Sequence, residues 1–151
     1  MSGKDPITIL IVDDNQMTRT LLRTIIRSEE RYLLVGEATN GEDAVEMALR
    51  IKPMLICLDH MMPKLSGIEV LQQIRPQLPH TAILMVTGNT ERDTVQSAIQ
   101  SGANGYIVKP FNAARVFDAM EKALAAVDPA SQNTSNAPSA PSAPSAPDAD
   151  D

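Results

Sequence analysis

The chain has 151 residues, enough to bury a core as a single domain, with a formal net charge of −6 and only 3% aromatic residues. No apolar stretch approaches the roughly 18–20 residues that span a bilayer, and the N-terminus is polar where a signal peptide is apolar, so a cytoplasmic protein without membrane insertion is expected. The single cysteine, Cys57, excludes an internal disulfide framework and a Cys-rich zinc site.

In chain order, Ile7-Thr8-Ile9-Leu10-Ile11-Val12 reads as a buried strand rich in β-branched residues, stopping at Asp13-Asp14-Asn15. Met17, Leu21, Leu22, Ile25 and Ile26 then recur at helical spacing with Arg19, Arg23 and Arg27 between them, which predicts an amphipathic helix with a basic outer face. A second strand is expected over Leu33 to Ala38, followed by an Asn40-Gly41 turn. Ala44, Val45, Ala48 and Leu49 pattern a second helix, ended by Pro53. The apolar run from Met54 to Leu58 closes on Asp59. Its length and turn-rich boundary fit a strand buried on both faces of a parallel sheet, with Cys57 as a core residue rather than a reactive thiol.

Ile68, Leu71, Ile74 and Leu78 form a third helical stripe, with Pro76 and Pro79 marking its end. Ala82-Ile83-Leu84-Met85-Val86 is a fourth strand ending at Thr87-Gly88. A more polar helix follows, with Val95, Ala98 and Ile99 inward and Ser101-Gly102 in the place of a C-cap. Gly105-Tyr106-Ile107-Val108 is a short fifth strand ending at Lys109-Pro110, and Phe111, Val116, Phe117, Met120 and Leu124 pattern a last helix. Met17, Met47, Met54, Met85 and Met120 fall within these stretches and are expected to fill the core.

Beyond Val127 the composition shifts to a Pro-Ser-Ala repeat across residues 137–147, expected to be disordered and somewhat extended. Residues 128–151 hold Asp128, Asp148, Asp150 and Asp151 and no basic residue, which leaves thirteen basic against fifteen acidic residues in 1–127. That near-balance, without a basic stripe or stacking aromatics, argues against nucleic-acid contact. The expected organisation is a folded domain over residues 5–127 and an acidic Pro/Ala/Ser-rich tail over residues 128–151.

Five strands alternating with five helices through short loops imply right-handed βαβ units, hence an α/β doubly wound parallel sheet covered on both faces. Such sheets place their chemistry at the carboxyl ends of the strands, which here carry Asp13 and Asp14, Asp59, Thr87 and Lys109. In the strand order 2-1-3-4-5 the first and third strands are neighbours and all these ends face one crevice. Three carboxylates so close repel one another unless a cation intervenes. An all-oxygen set suits a hard ion such as Mg2+, which completes its shell with water and substrate phosphate. An aspartate can attack phosphorus to give an acyl phosphate. Lys109 would then neutralise a phosphoryl oxygen while Thr87 donates a hydrogen bond, in a transfer that needs little beyond positioning and charge neutralisation.

Asp13-Asp14, Asp59 with Met62-Pro63 and Gly67, Thr87-Gly88 and Lys109-Pro110-Phe111 together resemble the receiver domain of bacterial two-component response regulators, over about residues 5–127. Residues 102–111 resemble the single-domain chemotaxis type in particular. The resemblance implies a flavodoxin-like sheet of order 2-1-3-4-5 and a phosphoryl group passed to Asp59 from a sensor histidine kinase or phosphotransfer protein. It also implies Mg2+ bound by Asp14, Asp59 and the backbone carbonyl of Met61, with Asp13 acting through water. Thr87 and Tyr106 match a switch pair whose hydroxyl moves toward the phosphoryl group as the ring turns inward. Lys109 matches the lysine that contacts that group, with a cis bond to Pro110. Gly88 stands where alanine is usual, and His60 where an aliphatic residue is usual; His60 and His80 read as loop residues. Asn89 and Met61 match the variable positions that tune acyl-phosphate lifetime.

The helix of residues 90–101, the fifth strand and the last helix are expected to form an output face for a downstream protein effector, chemotaxis-like or in a phosphorelay. The chain would be a signalling switch that catalyses its own phosphorylation and dephosphorylation rather than an enzyme. One other reading is a Mg-dependent aspartyl-phosphate phosphatase of haloacid-dehalogenase-like type, which needs a second acid where this chain has Met61. Another is a receiver fragment of a longer regulator, with the tail as a linker. A flavodoxin-like cofactor carrier is disfavoured, because Asp13 and Asp14 would repel its phosphate.

Overall fold

The computed structural model describes residues 6–60, 62, 65–88 and 92–127. The expected tail, the carbonyl of Met61, Pro63 and Asn89 lie outside the described residues. Elements alternate throughout: β1 (Ile7–Val12), α1 (Gln16–Arg27), β2 (Tyr32–Ala38), α2 (Gly41–Ile51), β3 (Leu55–Asp59), α3 (Gly67–Ile74), β4 (Ala82–Thr87), α4 (Arg92–Gln100), β5 (Gly105–Val108) and α5 (Ala113–Val127). The sheet is parallel in all its pairings, in the order β2-β1-β3-β4-β5. Every residue of β3 and β4 is buried, which is why both read as continuous apolar runs rather than alternating ones.

Because side chains alternate across a strand, the sheet feeds two cores. Ile9, Ile11, Leu55, Cys57, Leu84 and Val86 pack with α1 and α5; Leu10, Val12, Ile56, Leu58, Ile83 and Met85 pack with α2, α3 and Ala98 of α4. Helix boundaries follow local chemistry. The side chains of Asn15, Asn40 and Ser66 accept from the backbone N–H groups of Thr18, Asp43 and Glu69, and Ser66 with Glu69 forms a reciprocal capping box. α2 ends on Lys52 in the left-handed region, one residue before Pro53. Gly102 has φ +113°, so the loop after α4 takes the glycine-favouring conformation expected there.

Several sequence expectations need correction. β2 begins at Tyr32, one residue earlier than expected. Asn40-Gly41 is the N-cap and first residue of α2 rather than a free turn. Phe111 precedes α5, although it packs against the core. Met17 is 81% exposed and Met54 46%, so neither fills the core, whereas Met85 and Met120 do. Leu21 and Ile99 are exposed too: each lies at the edge of a helical stripe whose centre, Leu22 or Ala98, is the residue buried. No helix among the described residues is long and apolar enough to cross a membrane.

Candidate functional site

Asp59 is the last residue of β3, and Asp13 follows β1 directly, so the neighbouring strands deliver both carboxylates to one end of the sheet. Asp13 is completely buried, Asp59 nearly so, and Asp14 is exposed at the mouth. One carboxylate oxygen from each of the three lies within 4.8 Å of the others. Lys109, just after β5, places Nζ 3.3 Å from Asp59 Oδ1 and 3.3 Å from Asp13 Oδ2. Its backbone N–H donates to the carbonyl of Thr87 at 2.9 Å, tying the ends of β4 and β5 together. Thr87 is buried at the end of β4, and the Lys109–Pro110 bond is cis, as the resemblance implied. The strand-end residues Asp13, Asp14, Asp59, Thr87 and Lys109 are thus gathered at one crevice. Tyr106 is apart from them on β5, 45% exposed.

The electrostatics are unbalanced. Burial first, then repulsion from Asp13, pushes the Asp59 carboxyl up to about 6, while Lys109 pulls the other way. Burial lowers the Lys109 ammonium, but attraction to Asp59 and Asp13 outweighs it, so the net shift is upward. Asp13 Oδ1 accepts from the Asn15 N–H at 2.8 Å. Asp13 Oδ2 is buried with no directed hydrogen bond; the nearby ammonium is an ion-pair contact, not a well-aligned donor. Among the described residues, three carboxylates against one ammonium, with an inward oxygen left without a hydrogen-bond donor, suit an added hard cation.

Four positions matter more than the sequence suggested. Gly67 begins α3 and donates its N–H to the His60 carbonyl at 2.8 Å. A Cβ there would stand 2.2 Å from the carbonyl oxygen of Asp59, so glycine lets α3 press against the acceptor's own backbone. His60, expected as a loop residue, is half-buried, and its Nδ1 has no hydrogen-bond partner. Arg19 and Arg23, expected on a solvated basic face, instead turn toward Glu37 of β2. Arg19 also donates to the Asp13 carbonyl at 2.9 Å. The available signal was Glu37 itself, an acid next to the β2 terminus in an otherwise apolar strand.

A family model described as the response regulator receiver domain matches residues 9–121. The chemotaxis protein CheY of Listeria monocytogenes is 39% identical over 115 residues, covering 76% of this chain and 96% of that protein. Among solved structures, the response regulator domain of Thermotoga maritima CheB has a TM-score of 0.75 at 35% identity, covering 82% of this chain and 99% of that one. The CheX–CheY–BeF3–Mg complex from Borrelia burgdorferi gives 0.73 at 30% identity, over 77% of this chain and 87% of the matched chain. With the acidic crevice at the carboxyl ends of a 2-1-3-4-5 sheet, this match makes the chain a member of the receiver domain family of two-component response regulators.

Proposed function

We propose that this chain is a phosphorylation switch in which Asp59 takes a phosphoryl group from the histidine of a sensor kinase or phosphotransfer protein. The observation that carries this reading is the nearly buried Asp59 carboxylate, 3.3 Å from Lys109 and clustered with the buried Asp13 and with Asp14 at the mouth of the crevice. An oxygen of Asp59 attacks phosphorus, the bond to the donor nitrogen breaks, and an acyl phosphate forms. Lys109 leaves its contact with the carboxylates to face the incoming phosphoryl oxygens, and the Thr87 hydroxyl donates to one of them. Asp13 and Asp14, with Asp59 and the carbonyl of Met61, would hold Mg2+, which supplies charge neutralisation for carboxylates and phosphate alike. A relative solved with BeF3 and Mg2+ supports this choice of ion.

The folded domain of residues 5–127 would act in the cytoplasm, passing its state to a protein effector. Thr87 and Tyr106 would couple the site to the face formed by α4, β5 and α5. The exposed ring of Tyr106 is the unswitched position in this reading, and the new charge and acceptor oxygens at Asp59 bias it inward. Likeness to CheY of Listeria monocytogenes favours chemotaxis-like output over a phosphorelay.

The test is intact mass after incubation with acetyl phosphate and Mg2+. One phosphoryl adduct is expected on the wild type, and none on Asp59→Asn or with EDTA. An adduct that persists in Asp59→Asn removes the assignment of Asp59.

A further inference from the structure

The Asp13–Asp14 turn is held by a ring of hydrogen bonds closed by one ion pair. The Asp13 N–H donates to the Ala38 carbonyl at 3.0 Å, and the Asp13 carbonyl accepts from Arg19 Nη1 at 2.9 Å. The Arg19 Nε lies 3.5 Å from Glu37 Oε1, and Glu37 is the residue before Ala38 on β2. The ring therefore runs from Asp13 to Arg19, to Glu37, along one peptide to Ala38 and back to Asp13. Arg23 locks it from outside with a two-pronged grip on Glu37, at 2.7 and 3.0 Å. The Arg19 backbone N–H donates to the Asn15 carbonyl at 3.1 Å, the first bond of the α1 ladder, and does not depend on the side chain. The Asp13 carbonyl lies outside the ladder of α1, and an unpartnered carbonyl at that depth would be free to swing toward water.

We infer that Arg19, braced by Glu37 and Arg23, is a positioning residue for the cation site: it fixes the backbone that aims Asp13 and Asp14 into the crevice. This rests on the proposed binding of Mg2+ by these carboxylates. Partners that orient a ligand from behind typically change metal affinity by about 10–100-fold when removed. Charge and position make opposite predictions here. Removing a cation near a cation site strengthens binding by simple Coulomb attraction, whereas freeing the turn weakens it.

The experiment is an Mg2+ titration of the folded 151-residue chain, followed by 1H–15N chemical shifts well below the melting temperature. It compares wild type, Arg19→Met, Arg23→Met and Leu22→Ala. Leu22 is buried on the same helix but faces the core, so its truncation reports a general loss of helix packing. Arg19→Met is expected to raise the Mg2+ Kd about tenfold or more, Arg23→Met to raise it by a smaller factor, and Leu22→Ala to leave it unchanged while lowering Tm. Unchanged or tighter binding in both arginine variants overturns the inference and leaves the Mg2+ reading standing. So does equal weakening in Leu22→Ala. A wild type that binds no Mg2+ overturns the cation reading and the inference with it. If Arg19→Met does not fold, Arg23→Met decides on the same sign.

Discussion

Asp59 sits where its own charge is disfavoured, and that sets the sign of its contribution to stability as pH changes in the cation-free protein. Its folded pKa, about 6, is raised above an ordinary value of 3.8. Between these values the Asp59 carboxyl holds more of its proton in the folded state than in the unfolded one, so its contribution to stability falls as pH rises through this window. Above it the whole penalty is present, up to about 2–3 kcal/mol. In EDTA, Asp59→Asn should therefore be more stable than wild type near pH 7.5 and lose that advantage near pH 4. Urea unfolding at both pH values checks this, and a constant difference between the two proteins contradicts it. Two glycines separate in the same way. A methyl group at position 67 meets the backbone of Asp59 and His60, whereas at position 88 it meets nothing within 4 Å. Gly67→Ala should cost about 2 kcal/mol or more, and Gly88→Ala close to nothing, in urea unfolding. Both glycines were visible as motif positions; only the packing tells which one is sterically required.

Among the elements, Arg75 joins the end of α3 to the loop between α4 and β5, beside a longer bond from Gln72 to Ser101 Oγ at 3.4 Å. Arg75 donates to the carbonyls of Leu78, Thr81 and Gly102 and to Asn104 Oδ1, at 2.8 to 3.1 Å. Asn104 in turn accepts from the Ile83 N–H at 2.9 Å and donates its own N–H to the Ile83 carbonyl at 2.8 Å. Burial lowers the Arg75 pKa, and its bonds go to neutral oxygens. Arg75→Met would leave the Thr81 and Gly102 carbonyls without this donor, while Leu78 keeps the Thr81 N–H and Asn104 Oδ1 the Ile83 N–H, so a loss of about 2–4 kcal/mol is expected, with faster amide exchange at Ala103 and Asn104. Unchanged stability would show that water replaces the guanidinium without penalty. Helical periodicity located all five helices, because each buries a stripe against the sheet. It failed at the stripe edges and for long cations. Met17 and Leu21 overhang an open groove beside Pro110 and Phe111, and Arg19 and Arg23 bend back to a strand that periodicity does not see.

At the scale of the whole molecule, the sheet was legible because β3 and β4 are buried on both faces, leaving runs that only a parallel, doubly covered sheet explains. The crevice was legible for the same reason: once the strands are placed, their last residues follow, and Asp13, Asp59, Thr87 and Lys109 are those residues or their immediate successors. What could not be read was the support behind them, the Gly67 contact and the Arg19–Glu37 brace, since both depend on approaches between distant segments. The most direct test of phosphoryl transfer to Asp59 is chemical trapping. Borohydride reduces an acyl phosphate to the alcohol, which converts a phosphorylated aspartate into homoserine that tandem mass spectrometry locates. After incubation with acetyl phosphate and Mg2+, homoserine is expected at position 59 and at neither 13 nor 14, and it should vanish with EDTA. Homoserine at position 13 or 14, or none at 59 in a protein that carries a phosphoryl adduct, would contradict the account.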